Sequence, residues 1–299
     1  MAAPLPDVTL ASPLPPPLPS LVNARRLRTQ RLGRALRLWV PVGVLILILA
    51  ICFLLPLVVT LPSPTKGNII YNNLPPFSPG HILGTDVQGV DIFSQLVYGG
   101  QVAFEVGVSV TVIGIAIGGT LGVIAAYFGG GVDAVISRVL DVLIAFPALV
   151  LALVIAEGLG PSEQHAILAL SVFAIPAVGR VVRGATLTIR GLPFMVAARL
   201  AGTRGWRIIT RHVVPNILPT IVTFTLLGIG VVIILEGALD FLGYGIPPPT
   251  PSWGNMIANG QQILSVQPEY VLIPSIALLI TVAALNMLGD AVRERWGAQ

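Results

Sequence analysis

The chain has 299 residues, 55% of them hydrophobic and 10% charged, with a mean hydropathy of +0.89 and a formal net charge of +4. So little charge excludes an ordinary soluble domain. The positive balance is no nucleic-acid signal, because the arginines fall between apolar segments. Cys52 stands alone and excludes a disulfide framework, and His81, His165 and His212 sit on separate segments without a metal-ligand spacing.

Residues 1–38 form a tail in two parts, expected on the cytoplasmic side. The first 20 residues are proline-rich and of low complexity, which predicts disorder or polyproline geometry. Arg25, Arg26, Arg28, Arg31, Arg34 and Arg37 follow, directly ahead of an apolar run from Trp39 to Leu61. That run is too long for a signal-peptide core and lacks a small-x-small cleavage site, so it reads as an uncleaved first span.

A span requires roughly 20 apolar residues. The segments 39–61, 102–128, 136–158, 165–185, 217–239 and 270–290 meet that length, predicting an all-α membrane protein of six transmembrane helices. Pro147, Pro176 and Pro274 lie inside spans and predict kinks rather than ends. With the N-terminus in the cytoplasm, of the 17 basic residues only Lys66 lies outside, so both termini are expected inside. The domain reading is then 1–38 tail, 39–101 first helix and external loop, 102–290 transmembrane domain with a cytoplasmic loop at 186–216, and 291–299 tail.

The external segments differ in kind. Residues 62–101 form a long polar loop containing HILGTDVQGVDIFSQLVYG, and 159–164 a tight turn. Residues 240–269 are a Pro- and Gly-rich re-entry segment that reads FLGYGIPPPTPSWGNMIANGQQIL, where the prolines exclude a continuous helix. In the second span Gly114, Gly118, Gly119 and Gly122 repeat at helical spacing and predict close helix packing. Arg138 and Asp141, three apart, predict an ion pair along one helix.

Between the fourth and fifth spans lies PFMVAARLAGTRGWRIITRHVVPN, a polar, helix-compatible stretch that cannot sit in lipid. Pro193 suits a first helical turn. Ala197, Ala198 and Ala201 line a short helix with small side chains that let another surface approach closely. Gly202 permits a turn, and Thr203 is a candidate N-cap for a second helix. There Trp206, Ile209 and Val213 form an apolar stripe, with Arg204, Arg207 and Arg211 mainly on the other side. The residues by themselves leave two readings open, a basic amphipathic segment on lipid headgroups or a contact for a protein partner.

Ala197, Ala198, Gly202, His212, Pro215 and Asn216 stand in register with the E-A-A-x-x-x-G … I-x-L-P coupling loop of ABC-importer permeases, which this stretch resembles. HILGTDVQGVD, AAYFGGGVDAVISRVLDVLIAFP, FLGYGIPPPTPSWGN and the closing NMLGDAVRE resemble signatures of the dipeptide and oligopeptide subfamily, so the likeness covers residues 38–295. It implies the type I importer permease fold in a bacterial plasma (inner) membrane, as the second permease chain of a peptide importer. It further implies a homologous permease partner, cytosolic ABC ATPase subunits or a fused ATPase, an extracytoplasmic binding protein, and contact with membrane lipid but not nucleic acid. No cofactor is expected on this chain and no catalytic residue, since it has no G-x-x-x-x-G-K-[ST] loop; ATP and Mg belong to the ATPase. Coupling to it falls to Ala197, Ala198, Gly202, Trp206, Arg207, His212 and Pro215.

Val196 stands where the family carries glutamate, so coupling here rests more on packing. Val90, Gln95 and Gln101 replace arginines of the external signature, while Asp86 and Asp91 are kept as docking candidates for the binding protein. Those replacements read either as a more acidic docking surface or as drift at solvated positions. Glu236 and Asp240, one turn apart near the outer end of span five, are candidates to attract a peptide's α-amino group, against a reading as solvated carboxylates at the membrane edge. Tyr244 and Trp253 are candidates for a pore gate or an interfacial belt. Two alternatives remain: the same kind of permease for nickel chelates or glutathione, and a secondary transporter driven by an ion gradient. The second would require inverted repeats and mid-membrane charges, which this sequence does not display.

Overall fold

Long apolar stretches with internal glycine and proline become helices because a backbone in lipid must satisfy its own hydrogen bonds. The computed structural model describes residues 36–297, all of which, Leu36 aside, belong to the compact unit Arg37–Gln299. The proline-rich part of the tail lies outside the described residues. Besides two single 3-10 turns at Ile69–Tyr71 and Gln261–Ile263, nine α-helices occur among the described residues: α1 (Leu36–Val58), α2 (Ile92–Phe128), α3 (Gly130–Ile144), α4 (Ala148–Leu159), α5 (Glu163–Arg190), α6 (Pro193–Leu200), α7 (Gly205–Phe241), α8 (Trp253–Gly260) and α9 (Glu269–Gly297). Isolated bridges aside, no β-strand forms among the described residues.

Five of these helices, α1, α2, α5, α7 and α9, are individually long and apolar enough to cross a membrane. The sixth expected crossing is not one kinked helix. α3 and α4 meet at 83° across Ala145–Pro147, and Pro147 takes an extended backbone ahead of α4. The physical reason is that a proline cannot donate to the preceding turn, and here the freed turn opens completely. Pro176 and Pro274, by contrast, stay inside α5 and α9 as expected.

Other boundaries also move. α2 begins ten residues earlier than hydropathy predicts, because Asp91 caps it: its Oδ1 accepts from Ser94 N at 2.7 Å and from Ser94 Oγ at 2.9 Å. α7 starts inside the polar stretch at Gly205 and continues through a π-helical turn at Ile209–Val213.

Three apolar clusters hold the bundle. One joins α2, α4, α5 and α7 around Val106, Val110, Ala169, Leu170 and Leu239. A second joins α1, α2, α7, α8 and α9 around Phe104, Ile233, Trp253 and Tyr270. The third ties the ends of α2, α5, α6 and α7 through Val123, Val182, Met195, Ile208 and Val213. The glycine row of α2 packs closely, as its spacing predicts. A Cβ at Gly118 would overlap the Ile175 carbonyl on α5, and one at Gly122 would overlap that of Gly179.

Candidate functional site: the segment between α5 and α7

Pro193 occupies the first turn of α6, where its missing N–H leaves no bond unmade. Two residues past Leu200, α6 is terminated by Gly202, whose φ of +70° is the left-handed conformation that favours glycine. Gly202 N donates to Arg199 O at 3.0 Å and Thr203 N to Ala198 O at 3.2 Å, the paired bonds of a glycine-terminated helix. The chain therefore reverses immediately, and α7 begins three residues later.

One side of this hairpin is inside the bundle. Met195, Ile208 and Val213 are fully buried in the third cluster, and Ala198 packs against it. Arg199 ties the hairpin to its surroundings: its Nη2 donates to Arg190 O at 3.2 Å, and its guanidinium lies 5.7 Å from the centre of the Tyr127 ring. Gly205 sits against the same tyrosine.

The other side faces outward. Phe194, Val196, Ala197 and Arg207 are exposed, Leu200 at 84% and Trp206 at 73%. Two local expectations fail here. Thr203 is not the cap of the second helix; Arg204 holds that position and makes no side-chain cap bond. The inward stripe is Ile208, Ile209, Val213 and Ile217, with Trp206 turned out, because α7 runs on unbroken and its phase is set by the α5 contact. His212 is half-buried and its carbonyl accepts from Asn216 Nδ2 at 2.7 Å, while Pro215 lies exposed in the first turn after the π-segment.

Behind the hairpin, two arginines of α5 hold α3. Arg183 grips Asp133 with both arms of its fork, Nε to Oδ1 at 2.6 Å and Nη2 to Oδ2 at 2.7 Å. Arg180 takes Asp141 at 2.6 Å. Asp141 thus pairs with Arg180 and not with Arg138 as its spacing predicts, because the fold of α3 against α5 brings a second guanidinium to it. The sequence predicts no pairing for Asp133 or Arg183; a charge within or beside an apolar segment is the one signal that marks them.

The outer residues are placed differently from expectation. Asp86 and Asp91 are buried and serve the loop itself. Asp86 Oδ1 accepts from Gln88 N and Val90 N, both at 2.8 Å, and its Oδ2 accepts from Gln95 Nε2 at 2.8 Å. Asp91 caps α2 and meets His81 Nδ1 at 2.8 Å. Neither carboxylate is available to a docking protein. Val90 and Gln95 are buried, and Gln101 is bonded to α1, so these replacements are neither solvated drift nor an acidic surface.

Glu236 and Asp240 are each 1% exposed, not solvated at an edge and not open to a peptide amine. Asp240 Oδ1 accepts from Ile246 N at 2.7 Å, and Ile246 O accepts from Asn255 Nδ2 at 2.7 Å. The pair therefore lies beneath the re-entry segment. Trp253 is 2% exposed, donates Nε1–H to Leu96 O at 2.9 Å, and is neither gate nor belt. Tyr244 is half-buried against the first cluster.

Comparison with known proteins agrees with this architecture. Residues 118–296 match the family model described as the binding-protein-dependent transport system inner membrane component. The chain is 39% identical over 223 residues to the dipeptide transport system permease protein DppC of Alkalihalophilus pseudofirmus, covering 75% of this chain and 73% of that one. It is 38% identical over 217 residues to the glutathione transport system permease protein GsiD of Pectobacterium atrosepticum, covering 73% and 72%. It is 37% identical over 279 residues to a putative peptide transport system permease protein of Brucella suis, covering 92% and 90%. Among solved structures, an inward-facing MetNI methionine ABC transporter chain superposes with a TM-score of 0.57 at 20% identity, covering 67% of this chain and 95% of that one, which is a likeness of fold. An ion-gradient transporter is thereby set aside, and the chain belongs to the inner membrane permeases of binding-protein-dependent ABC importers.

Proposed function

We propose that this permease forms half of the translocation pore of a short-peptide importer and takes its driving motion through the α6 hairpin. The observation that carries this reading is the two-sidedness of that hairpin. Met195, Ile208 and Val213 anchor it in the bundle, while Phe194, Val196, Ala197, Leu200 and Trp206 offer water an apolar face. A segment lying on lipid would need no rigid tie to three spans. A lever does, since a push on α6 must reach α5 and α7 as a rigid-body tilt.

The arginine distribution supports a cytoplasmic position for this hairpin and both termini. There the exposed face meets an ATPase subunit, with Val196 adding apolar contact where relatives have a charge. A second permease completes the pore and an extracytoplasmic protein delivers the solute. Dipeptide- and peptide-named relatives support a peptide substrate. The glutathione-named relative supports glutathione as a second reading, and glutathione is itself a short peptide.

The test is site-directed cross-linking. Ala197→Cys, made in a Cys52→Ala background, is expected to cross-link to a co-expressed P-loop ATPase in native membranes, with a yield that changes when ATP is added. A label that reaches only lipid from Ala197 would refute the lever. The substrate is read separately, from the solute that co-purifies with the binding protein.

A further inference from the structure

Where α7 leaves the hairpin, a cavity of about 470 Å³ opens between α5, α7 and α9. Its walls are Val181, Pro219, Phe224 and Leu227, and Arg293 and Trp296 close its rim. Val181, Phe224 and Leu227 also line an apolar crevice of about 190 Å³, which continues along α7 as far as Val231 and Val232. The two spaces therefore adjoin across three shared wall residues, with Arg293 lining the one nearest the hairpin and apolar side chains lining most of the one toward the middle of the bundle.

The polar groups at the cationic end are uncommitted. Arg293 is exposed and makes no ion pair among the described residues. Thr225 returns its hydroxyl to Ile221 O at 2.7 Å, as helical threonines in apolar surroundings commonly do. Thr220 and Thr223, which line the cavity, make no such bond among the described residues. A tryptophan and an arginine in the last turns of a spanning helix lie at the level of lipid headgroups.

We propose that these two adjoining spaces hold one anionic phospholipid from the leaflet on the hairpin side. Its phosphate sits on the Arg293 guanidinium and one acyl chain lies in the crevice beneath Phe224 and Leu227. A guanidinium presents a planar fork that suits phosphate oxygens. A soluble anion gains nothing from the apolar walls, and a zwitterionic lipid gains no net charge attraction. One occupant satisfies both ends. Because α5 and α7 flank the hairpin, the lipid would wedge the two helices that carry its motion.

The experiment uses the full chain with its co-expressed partner subunits, released from nanodiscs of equal phosphatidylglycerol and phosphatidylcholine, with bound lipid counted by native mass spectrometry. One retained phosphatidylglycerol per copy is expected, preferred roughly fivefold over phosphatidylcholine, the factor one surface-level cation contributes. Arg293→Gln should abolish that preference, Arg293→Lys should keep part of it, and Arg295→Gln on the same helix end should leave it intact. Equal retention of both lipids, or an equal loss in the Arg293→Gln and Arg295→Gln variants, overturns the proposal. So does displacement by millimolar inorganic phosphate, which would identify a free-anion site only.

Discussion

Gln101 of α2 donates its Nε2–H to the backbone carbonyl of Cys52 on α1 at 2.6 Å. Cys52 lies four residues before Pro56, which has no N–H to offer that turn, and the helix there loosens into a π-segment at Ala50–Leu54. The side chain of one span thus completes the backbone of another. Gly100, beside Gln101, permits the approach, since a Cβ there would overlap Cys52 Sγ.

Gln101→Leu keeps the side-chain bulk and leaves that carbonyl without its partner. The expected cost is about 0.6–1.7 kcal/mol, the range for interhelical hydrogen bonds in membranes. The thermal midpoint of the purified protein should fall accordingly. Gly100→Ala should also destabilise, and Cys52→Ala should recover part of that loss by removing the overlapping sulfur. A Gly100→Ala variant that is unaffected, with or without Cys52, would show that the two spans are not held at this contact.

Gly202→Val should leave membrane insertion and abundance near normal while abolishing ATP-dependent uptake. No atom lies close enough for a Cβ to clash at Gly202, so the effect comes from its φ of +70° alone. A left-handed residue costs roughly 1–2 kcal/mol with an ordinary side chain, and more with a β-branched one. That is little against the whole bundle but enough to reset a hairpin of α6's length. Gly202→Asn, which tolerates this conformation better, should retain much of the uptake.

The two charge pairs between α3 and α5 should differ in worth. Asp133 and Arg183 are partly shielded and bonded twice, whereas Asp141 and Arg180 are about half exposed. Arg183→Lys keeps the charge but loses the fork, and is expected to destabilise by about 1.5–3 kcal/mol. Asp141→Asn should cost below about 1 kcal/mol. Equal midpoints for the two variants would contradict this ordering.

Asp240 fastens the re-entry segment through Ile246 N, and a Cβ at Gly245 would overlap its Oδ1. Asp240→Ala removes the acceptor and is expected to cost about 1–3 kcal/mol. Asp240→Asn keeps an acceptor oxygen and should cost less. Limited proteolysis between Phe241 and Asn255 should follow the same order, with Gly245→Ala as susceptible as Asp240→Ala. Because Glu236 is buried, Glu236→Gln should not alter the preference between cationic and neutral peptides, which uptake competition measures.

Much of this was legible without coordinates wherever the physics is local. Hydropathy over a bilayer's width marks most of the spans, small residues at helical spacing mark α2 as closely packed, and Pro193 with Gly202 bounds α6 because each residue's backbone preference acts at its own position. None of these needs knowledge of what lies across the bundle.

What only the tertiary structure decided is every question about facing. Asp141 chooses Arg180 over Arg138, Asp86 and Asp91 turn into their own loop, and Glu236, Asp240 and Trp253 disappear beneath the re-entry segment. Each has a partner far away in sequence, and the free energy of a buried polar group is set by that partner rather than by neighbours along the chain. Pro147 shows the same division: its ring forbids a continuous helix locally, but whether the chain kinks or turns through 83° depends on the helices α3 and α4 must pack against.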